Sequence, residues 1–377
     1  MSPKASKNLN SIAGQKVRVY TLTFQFTRNY GANLQAYALQ EFLERNGCEA
    51  HIVDYWPAYA ESKFRWNSVF TRNPSVGSLL LILKIYRLNR VFEAFKRKHF
   101  KLTKKCRSIE DIKALPQPDV YFVGSDQVWN NQILGEYNQA YLLDFDTTAV
   151  KASYAASAGK DHFSSEELDM LVQYAKRLDH VSVREDTFRD MLKAHGLSDV
   201  MDHIDPVFLL DREDYRSISR CKKEGPYILI YYPDAENLTE KLALRLSEMN
   251  GGIPIYRVGK QRNRNGIQGL QNVPVEEFLG LIDHAACVVS CSFHACALSI
   301  VFRKQFYAIS AGDRSSRLTS LLDRFDLANR FVPDENALNQ LQVSDIDYSQ
   351  HENLIAQHTE IAKSYIKGVI DAVSVEK

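Results

Sequence analysis

Apolar and polar positions along the chain follow the periods of strands and helices in turn. Alternation over 17–22 indicates a strand, and apolar residues at helical spacing over 34–43 indicate a helix that ends at Gly47. An apolar run over 51–55 predicts a second strand. Because parallel strands need a helical crossover, this segment predicts a right-handed βαβ unit.

The same succession of strands and helices continues through the chain. Further strands are predicted at seven places: 120–123, 152–156, 181–183, 227–232, 253–258, 287–290 and 305–309. Further helices are predicted at 78–99, 238–249, 275–286, from about 293, and at 352–373. This order predicts an α/β fold of two Rossmann-like doubly wound domains facing a central cleft, the GT-B-like arrangement.

Breaks in the pattern predict the domain boundaries. The N-terminal domain is expected over 15–205, with a helical insertion at about 60–112, and the C-terminal domain over 206–345. Asp205-Pro206 and the polar stretch that follows indicate the crossing between the two domains. Residues 350–377 are expected to contain a closing C-terminal helix.

Composition and missing motifs exclude several classes of function. The 377 residues contain 47 Lys plus Arg against 46 Asp plus Glu, so the protein has no large positive charge that would attract nucleic acid. We therefore expect no nucleic-acid partner. The longest apolar run, 79–83, is far too short to span a bilayer. No secretory signal is visible at the start, which predicts a cytoplasmic location. Glycine-rich dinucleotide, P-loop, zinc-protease and serine-hydrolase motifs are missing.

One segment is strongly cationic. Between Lys84 and Arg107, ten Lys or Arg residues stand against the single acid Glu93, and apolar residues are interleaved with them from residue 79 onward. Two interpretations stay open. The segment 79–107 could form a surface helix that touches an anionic membrane bearing a lipid-linked acceptor, or a helix docked on its own domain with a solvated basic face.

Three strand-to-helix corners carry candidate chemistry. In the first, Asn29, Tyr30, Gly31 and Asn33 open a helix. Gly31 allows close approach of a ligand, and free amides near Asn33 attract an anion or a sugar hydroxyl. An ordinary capped turn is the alternative.

The second corner follows the strand at 120–123. Asp126, Gln127 and Asn130 place hydrogen-bonding groups beside the indole of Trp129, which is typical of carbohydrate sites. The alternative is a loop whose side chains bond only to one another.

The third corner follows the strand at 287–290. Ser292 stands at the N-cap position, so His294 falls in the first turn of a helix, where the helix dipole meets any bound phosphate. A histidine in this position can shuttle a proton, although a structural role is the alternative.

At these corners the chain resembles the polysaccharide pyruvyl transferase family, over about residues 15–345. The matching segments occur in the family's order at 29–40, 124–130, 154–159, 182–185, 205–206, 292–294 and 314–322. The resemblance implies a GT-B-like transferase that moves the enolpyruvyl group of phosphoenolpyruvate onto a sugar. The expected products are a cyclic pyruvate ketal and phosphate.

The resemblance also implies a donor site. Family members hold phosphoenolpyruvate through an arginine that matches Arg184 and through an Arg-Leu-His triplet that matches Ser292, Phe293 and His294. Serine therefore replaces the triplet's arginine here, and Arg317 is expected to supply the missing charge, with Arg314 and Arg257 as further candidates. Phosphoenolpyruvate is a co-substrate, no other cofactor is expected, and no metal is required because arginines and helix amides can neutralise the leaving phosphate.

We expect His294 to act as the acid or phosphate partner and Asp126 as the base. The predicted acceptor-binding residues are Asn29, Tyr30, Gly31, Asn33, Gln127 and Trp129. The acceptor is expected to be a glycan or a lipid-linked oligosaccharide. A GT-B nucleotide-sugar glycosyltransferase and a non-catalytic glycan-binding protein are the alternative functions.

Overall fold

The computed structural model describes residues 16–64, 76–231, 236–259, 265–310, 312 and 315–375. Two parallel sheets organise these residues. The elements of the first part of the chain are β1 (Arg18–Leu22), α1 (Tyr30–Arg45), β2 (Glu49–Ile52), α2 (Ala58–Phe64), α3 (Val76–His99), α4 (Ile109–Lys113), β3 (Val120–Val123), α5 (Asn131–Leu134), β4 (Val150–Ser153), α6 (Ser165–Ala175), β5 (Val181–Val183), α7 (Asp186–Ala194) and β6 (Val200–Asp202).

The second part of the chain builds the other sheet. Its elements are α8 (Arg212–Ile218), β7 (Ile228–Tyr231), α9 (Glu236–Met249), β8 (Ile255–Val258), β9 (Ile267–Leu270), α10 (Val275–His284), β10 (Cys287–Ser290), α11 (Phe293–Val301), β11 (Gln305–Ile309), α12 (Ser316–Arg324), β12 (Phe331–Val332), α13 (Glu335–Gln340) and α14 (Glu352–Val375).

Both sheets are parallel and covered on both faces. The first has the order β2-β1-β3-β4, and single bridges from Ala152 to His180 and from Ala156 to Val183 connect it to the β5-β6 pair. The second has the order β12-β11-β10-β7-β8-β9. The central strands β3 and β10 are buried at every position, as parallel strands flanked by helices must be. The predicted α/β, GT-B-like fold class is confirmed.

Several strand boundaries differ from the prediction. The strand expected at 51–55 runs from Glu49 to Ile52, and the strand expected at 152–156 runs from Val150 to Ser153. The second ends early because Ala155 has φ of 47°, a left-handed conformation that a strand cannot contain. The strands β6, β9 and β12, of three, four and two residues, were not predicted.

The predicted insertion is helical, and α3 is its longest element. Phe92 and Phe95 are buried in the core, whereas Tyr86 is 46% exposed. The side chains of residues 79–82, part of the apolar run in that helix, lie outside the described residues. The last turns of α3 therefore dock on the protein while its cations other than the buried Lys96 stay exposed. No described helix is both long and apolar enough to cross a bilayer.

The chain crosses from one sheet to the other through a buried segment. Residues 205–210 contact both α1 and α11 and contribute Val207 and Phe208 to the core. At the far end of the chain, α14 returns to the first sheet, where the hydroxyl of Tyr365 donates to the carbonyl of Ser153 at 2.8 Å. The domain boundaries at 205/206 and 345/350 stay a prediction.

Candidate functional site

Two helix N-termini meet where the carboxyl ends of the sheets face each other. Helix α1 follows β1, and its N-cap Asn29 accepts a hydrogen bond from the amide of Ala32 at 3.2 Å. Helix α11 follows β10, and its N-cap Ser292 makes no side-chain cap bond within the described chain. First-turn amides lack intrahelical partners and carry the positive end of the helix dipole, so this meeting point favours an anion.

Gly31 and His294 bring the two helices into contact. A Cβ atom at Gly31 would lie 2.2 Å from both Cγ and Nδ1 of His294, closer than atoms approach without displacement. Gly31 therefore permits the close approach of a protein side chain from the other half of the molecule, and its approach to a ligand stays a prediction. His294 itself is buried, with 8% of its surface exposed.

Asp205 connects the two halves electrostatically. Its Oδ2 accepts from Nη1 of Arg184 at 2.9 Å and from the hydroxyl of Ser125 at 3.0 Å, and it lies 3.3 Å from Nε2 of His294. The carboxylate is completely buried. Burial alone would raise the pKa of Asp205, but the charges of His294 and Arg184 outweigh it and hold that pKa well below its ordinary value. Asp205 is therefore ionised at neutral pH.

The buried guanidinium of Arg184 lies between two carboxylates and one ring. Besides its bond to Asp205, its Nε donates to Oε1 of Glu185 at 3.0 Å, and its Cζ lies 4.1 Å from the ring centroid of Phe293. Burial would lower the pKa of Arg184, yet the neighbouring carboxylates, Glu185 first, raise it above its ordinary value. Its Nη2 is buried and has no hydrogen-bond partner among the described residues. One charged hydrogen-bond donor at this site therefore has no partner among the described residues.

A small cavity adjoins this guanidinium. Arg184, Arg317 and Arg324 line it together with the carboxylates of Glu185 and Asp205, and its volume of about 10 Å³ holds roughly one water molecule. Neighbouring contacts hold its two sides together. The hydroxyl of Ser320 donates to Oδ1 of Asp186 at 2.7 Å, and Arg324 pairs with Asp202. A three-carbon phosphate ester fits only when the two sides separate.

A second cavity of about 10 Å³ lies beside the first. Arg317 lines both, and Lys160 and Gly159 line the second. The hydroxyl of Ser316 donates to Asp161 across the same junction. The two cavities therefore form one arginine-rich zone between α7 and α12, in which Glu185 lines both cavities and Asp205 lines the first.

The structure gives several predicted acceptor residues packing roles. Tyr30 is buried, its hydroxyl donates to the carbonyl of Val273 at 2.8 Å, and its ring stacks on Phe278. Asn33 is fully buried and donates to the carbonyls of Thr27 and Asn29, at 3.1 and 2.8 Å. Its backbone amide bonds to Asn29 as well, so the amide near Asn33 expected to be free is engaged.

Trp129 and Gln127 are likewise occupied. The indole of Trp129 lies in the core and its Nε1 donates to the carbonyl of Tyr141 at 3.0 Å, which leaves no ring face for a sugar. Gln127 accepts from Nδ2 of Asn130 at 3.0 Å and packs against Gly159. Tyr30 and Trp129 are not carried further as acceptor ligands because internal partners satisfy them. The buried Oδ1 of Asn33 has no hydrogen-bond partner among the described residues, so Asn33 stays a predicted acceptor residue.

The remaining predicted residues fall into two groups. Asp126 is buried with φ of 67°, and its charge contributes to the raised pKa of Arg184, so it belongs to the same cluster. Arg257 instead pairs with the buried Glu240 inside the second half of the molecule. Arg314 lies outside the described residues.

Two residues of the site were not assigned a role from sequence. Asp205 was recognised only as part of the crossing between domains, although its match to a family segment was a usable signal. Arg324 stands at the end of α12, about two turns beyond Arg317, and its place on the same amphipathic helix was the only hint.

Similarity searches agree with the sequence resemblance. The family model described as polysaccharide pyruvyl transferase matches residues 29–313. No curated protein matches the chain. Among solved structures, UDP-N-acetylglucosamine 2-epimerase from Rickettsia bellii aligns at 14% identity over 96% of this chain and 98% of its own, with a TM-score of 0.48.

Two further solved structures align over most of the chain. The S. aureus MnaA-UDP co-structure has 12% identity, covers 93% of this chain and 94% of its own, and has a TM-score of 0.48. An alpha-glucosyltransferase in complex with UDP and DNA has 10% identity, coverages of 95% and 100%, and a TM-score of 0.43. At these scores the neighbours carry no argument about activity. The family match covers most of the chain, and the protein belongs to the polysaccharide pyruvyl transferase family.

Proposed function

We propose that this protein transfers the enolpyruvyl group of phosphoenolpyruvate onto a sugar of a polysaccharide or of its lipid-linked precursor. The products are a pyruvate ketal that bridges two hydroxyls, and phosphate. Family membership supports pyruvyl transfer in general. The observation that carries the donor's identity is the buried Nη2 of Arg184, a guanidinium donor with no partner among the described residues, beside a cavity lined by two more arginines.

The guanidinium groups of this arginine-rich zone suit the donor's charges. Phosphoenolpyruvate bears a carboxylate and a phosphate, and planar guanidinium groups bind both with paired hydrogen bonds. Arg184 would hold one of these groups, and Arg317 with Arg324 would hold the other. In this way Arg317 and Arg324 replace the arginine that the family carries at the position of Ser292.

His294 would act as the acid. Oδ2 of Asp205 lies 3.3 Å from its Nε2 and orients the ring. The imidazolium gives a proton to the methylene carbon of the donor, whose π electrons form the new C–H bond and leave a cationic centre at the carbon that bears the phosphate. A sugar hydroxyl attacks this centre and loses its proton to a base. Phosphate then departs with the C–O bond electrons and leaves a second cationic centre at the same carbon. A second hydroxyl adds to this centre and gives its proton to the neutral imidazole of His294, which closes the ketal and restores the acid.

Asp126 is the base that we assign to this step, because it is buried in the same cluster as Arg184. Its carboxylate and His294 come from opposite halves of the molecule, so a substrate between them would be approached from both sides. The Nδ1 edge of His294 lies against Gly31, which means that the donor must enter between α1 and α11 as the cleft opens. Cytoplasmic location and membrane contact through 79–107 remain parts of this proposal.

Calorimetric titration with phosphoenolpyruvate tests the donor site. We expect the wild type to bind it, and Arg317→Gln to weaken binding by about tenfold or more, since each lost charge-assisted contact to phosphate removes roughly 1.5–3 kcal/mol. The matched control is Arg212→Gln, an exposed arginine on α8 far from the cavity, which should leave the affinity unchanged. Binding of a uridine diphosphate sugar with no heat from phosphoenolpyruvate would instead favour the nucleotide-sugar transferase.

A further inference from the structure

A second concave surface lies beside the cleft and has a different composition. A groove of about 490 Å³ runs between the loop after β1, the loop after β2 and the described part of α3. Phe26 and Arg28 line it from the first loop, Trp56 from the second, and Tyr86, Arg90 and Arg97 from the helix. We call this surface the α3 groove.

The α3 groove is cationic. Four cations line it, Arg28, Arg90, Lys96 and Arg97, against the one acid Glu93. Glu93 pairs with the buried Lys96, which leaves an excess of three positive charges from the other lining arginines. Arg90 and Arg97 are exposed and lie two turns apart on the same face of α3. The side chains of both can therefore turn toward an occupant.

Aromatic rings are set among these charges. The rings of Phe26 and Trp56 pack with centroids 5.8 Å apart, and the Nζ of Lys105 lies 4.4 Å from the centroid of Trp56. The guanidinium of Arg90 lies 6.0 Å from the centroid of the exposed Tyr86. Rings bordered by cations bind a sugar face together with the anionic group attached to it.

The α3 groove lies close to the candidate active site along the chain. Arg28 lines the groove and Gly31, three residues later, touches His294. Three residues span at most about 11 Å, so the two sites are neighbours along one loop. Tyr30 forms a second connection, because its ring packs on Phe92 of α3 at 5.0 Å and on Phe278 of α10 at 4.3 Å.

We infer that the α3 groove binds the sugar-diphosphate end of the acceptor while a more distant sugar reaches His294. This inference rests on the proposed function and deepens it by naming the acceptor as a glycan with an anionic, diphosphate-bearing end. The excess of positive charge selects the diphosphate, and Trp56 and Tyr86 contact the sugar ring. A flat membrane surface would not require a concave site of this volume.

Calorimetry on the full chain tests the inference with three probes: glucosyl diphosphate, its octyl ester and methyl glucoside. The test variant is Arg90→Gln with Arg97→Gln. The matched control is Lys84→Gln with Arg87→Gln, which removes the same charge from exposed positions of α3 that do not line the groove. We expect both diphosphates to bind the wild type, methyl glucoside to bind far more weakly, the test variant to lose about tenfold or more in affinity, and the control to lose less than about twofold. Tighter binding of the octyl ester would indicate a lipid-linked source, and equal binding a free one.

Two results would overturn the inference. One is an equal loss of affinity in the two double variants, which would show that binding depends on the overall positive charge of α3 and not on the groove. The other is no binding of either diphosphate, including the case in which vesicles of phosphatidylglycerol do bind. A separate titration of the wild type with phosphoenolpyruvate keeps the two proposals distinguishable. Binding of phosphoenolpyruvate without binding of either diphosphate would refute only the role of the α3 groove. Binding of a diphosphate without binding of phosphoenolpyruvate would refute the proposed donor.

Discussion

Gly31 and His294 touch across the two halves of the molecule, and a side chain at position 31 would occupy the space of the imidazole. The hypothetical Cβ lies 2.2 Å from Cγ and 2.5 Å from Cβ of His294, so rotation of the ring alone cannot relieve the clash. The first turn of α1 thereby fixes where the candidate acid lies.

Gly31→Ala should therefore impair turnover more than stability. Displacing the helix contact costs about 1–3 kcal/mol of folding free energy, and moving the acid by an ångström lowers the rate by roughly 100-fold. The control is Gly368→Ala in α14, where an added Cβ meets nothing within 4 Å. That variant should be stabilised by about 0.5–1 kcal/mol with normal turnover. Urea unfolding and phosphate-release kinetics on both variants measure the two effects, and normal kinetics for Gly31→Ala would remove this contact from the mechanism.

Asp205→Asn removes a buried charge on which Arg184 and His294 both depend. Breaking one partner of a buried ion pair costs about 3–5 kcal/mol, and we expect a loss of this size in urea unfolding together with loss of turnover. Asp144→Asn is the comparison, because Asp144 pairs with the exposed Arg177 and its loss should cost less than about 1 kcal/mol. Equal costs for the two variants would contradict the central position given to Asp205.

His203 should make the fold sensitive to mild acid. Burial lowers its pKa to about 4, and its Nδ1 lies 2.7 Å from the hydroxyl of Ser182. Between pH 6.5 and 4 the unfolded chain binds a proton at this position that the folded chain does not, so stability falls as the pH falls, by up to about 3 kcal/mol. His203→Gln should flatten this part of the profile. Melting temperatures of both proteins across that range provide the measurement, and parallel profiles would exclude His203 as the source.

Ser292 is an N-cap by position without acting as one, and this has a measurable consequence. Ser292→Ala should change the free energy of unfolding by less than about 0.5 kcal/mol, whereas Ser164→Ala, which removes the capping box of α6, should cost about 1 kcal/mol. Denaturant titrations of the two variants compare them directly. A large cost for Ser292→Ala alone would show that its hydroxyl has a structural partner.

The strand and the helix that position His294 were predicted correctly from the sequence. Strand β10 and the start of α11 at Phe293 are confirmed, because a run of apolar or small residues with a serine at the N-cap position leaves little choice of boundary. The same local rule placed His294 in the first helical turn. Local patterns of this kind act over a few residues, and here no distant contact overrides them.

Contacts between residues far apart in the chain could not be predicted from the sequence patterns. Asp205 meets Ser125, Arg184 and His294, which are 80, 21 and 89 positions away along the chain, and no period or motif links such positions. The error about Trp129 has a related cause. A tryptophan amid polar residues indicated a sugar site, but only the fold brings the carbonyl of Tyr141 to its Nε1 and buries the ring.

The most direct test of the account uses phosphoenolpyruvate labelled with ¹³C at its methylene carbon, incubated with the wild-type protein and a panel of glycans and sugar-diphosphate acceptors. The account predicts phosphate release and a ¹³C signal that moves from an alkene carbon to the methyl group of a ketal, with both lost in His294→Ala. Absence of labelled ketal across the whole panel, with a correctly folded protein that binds the donor, would contradict it.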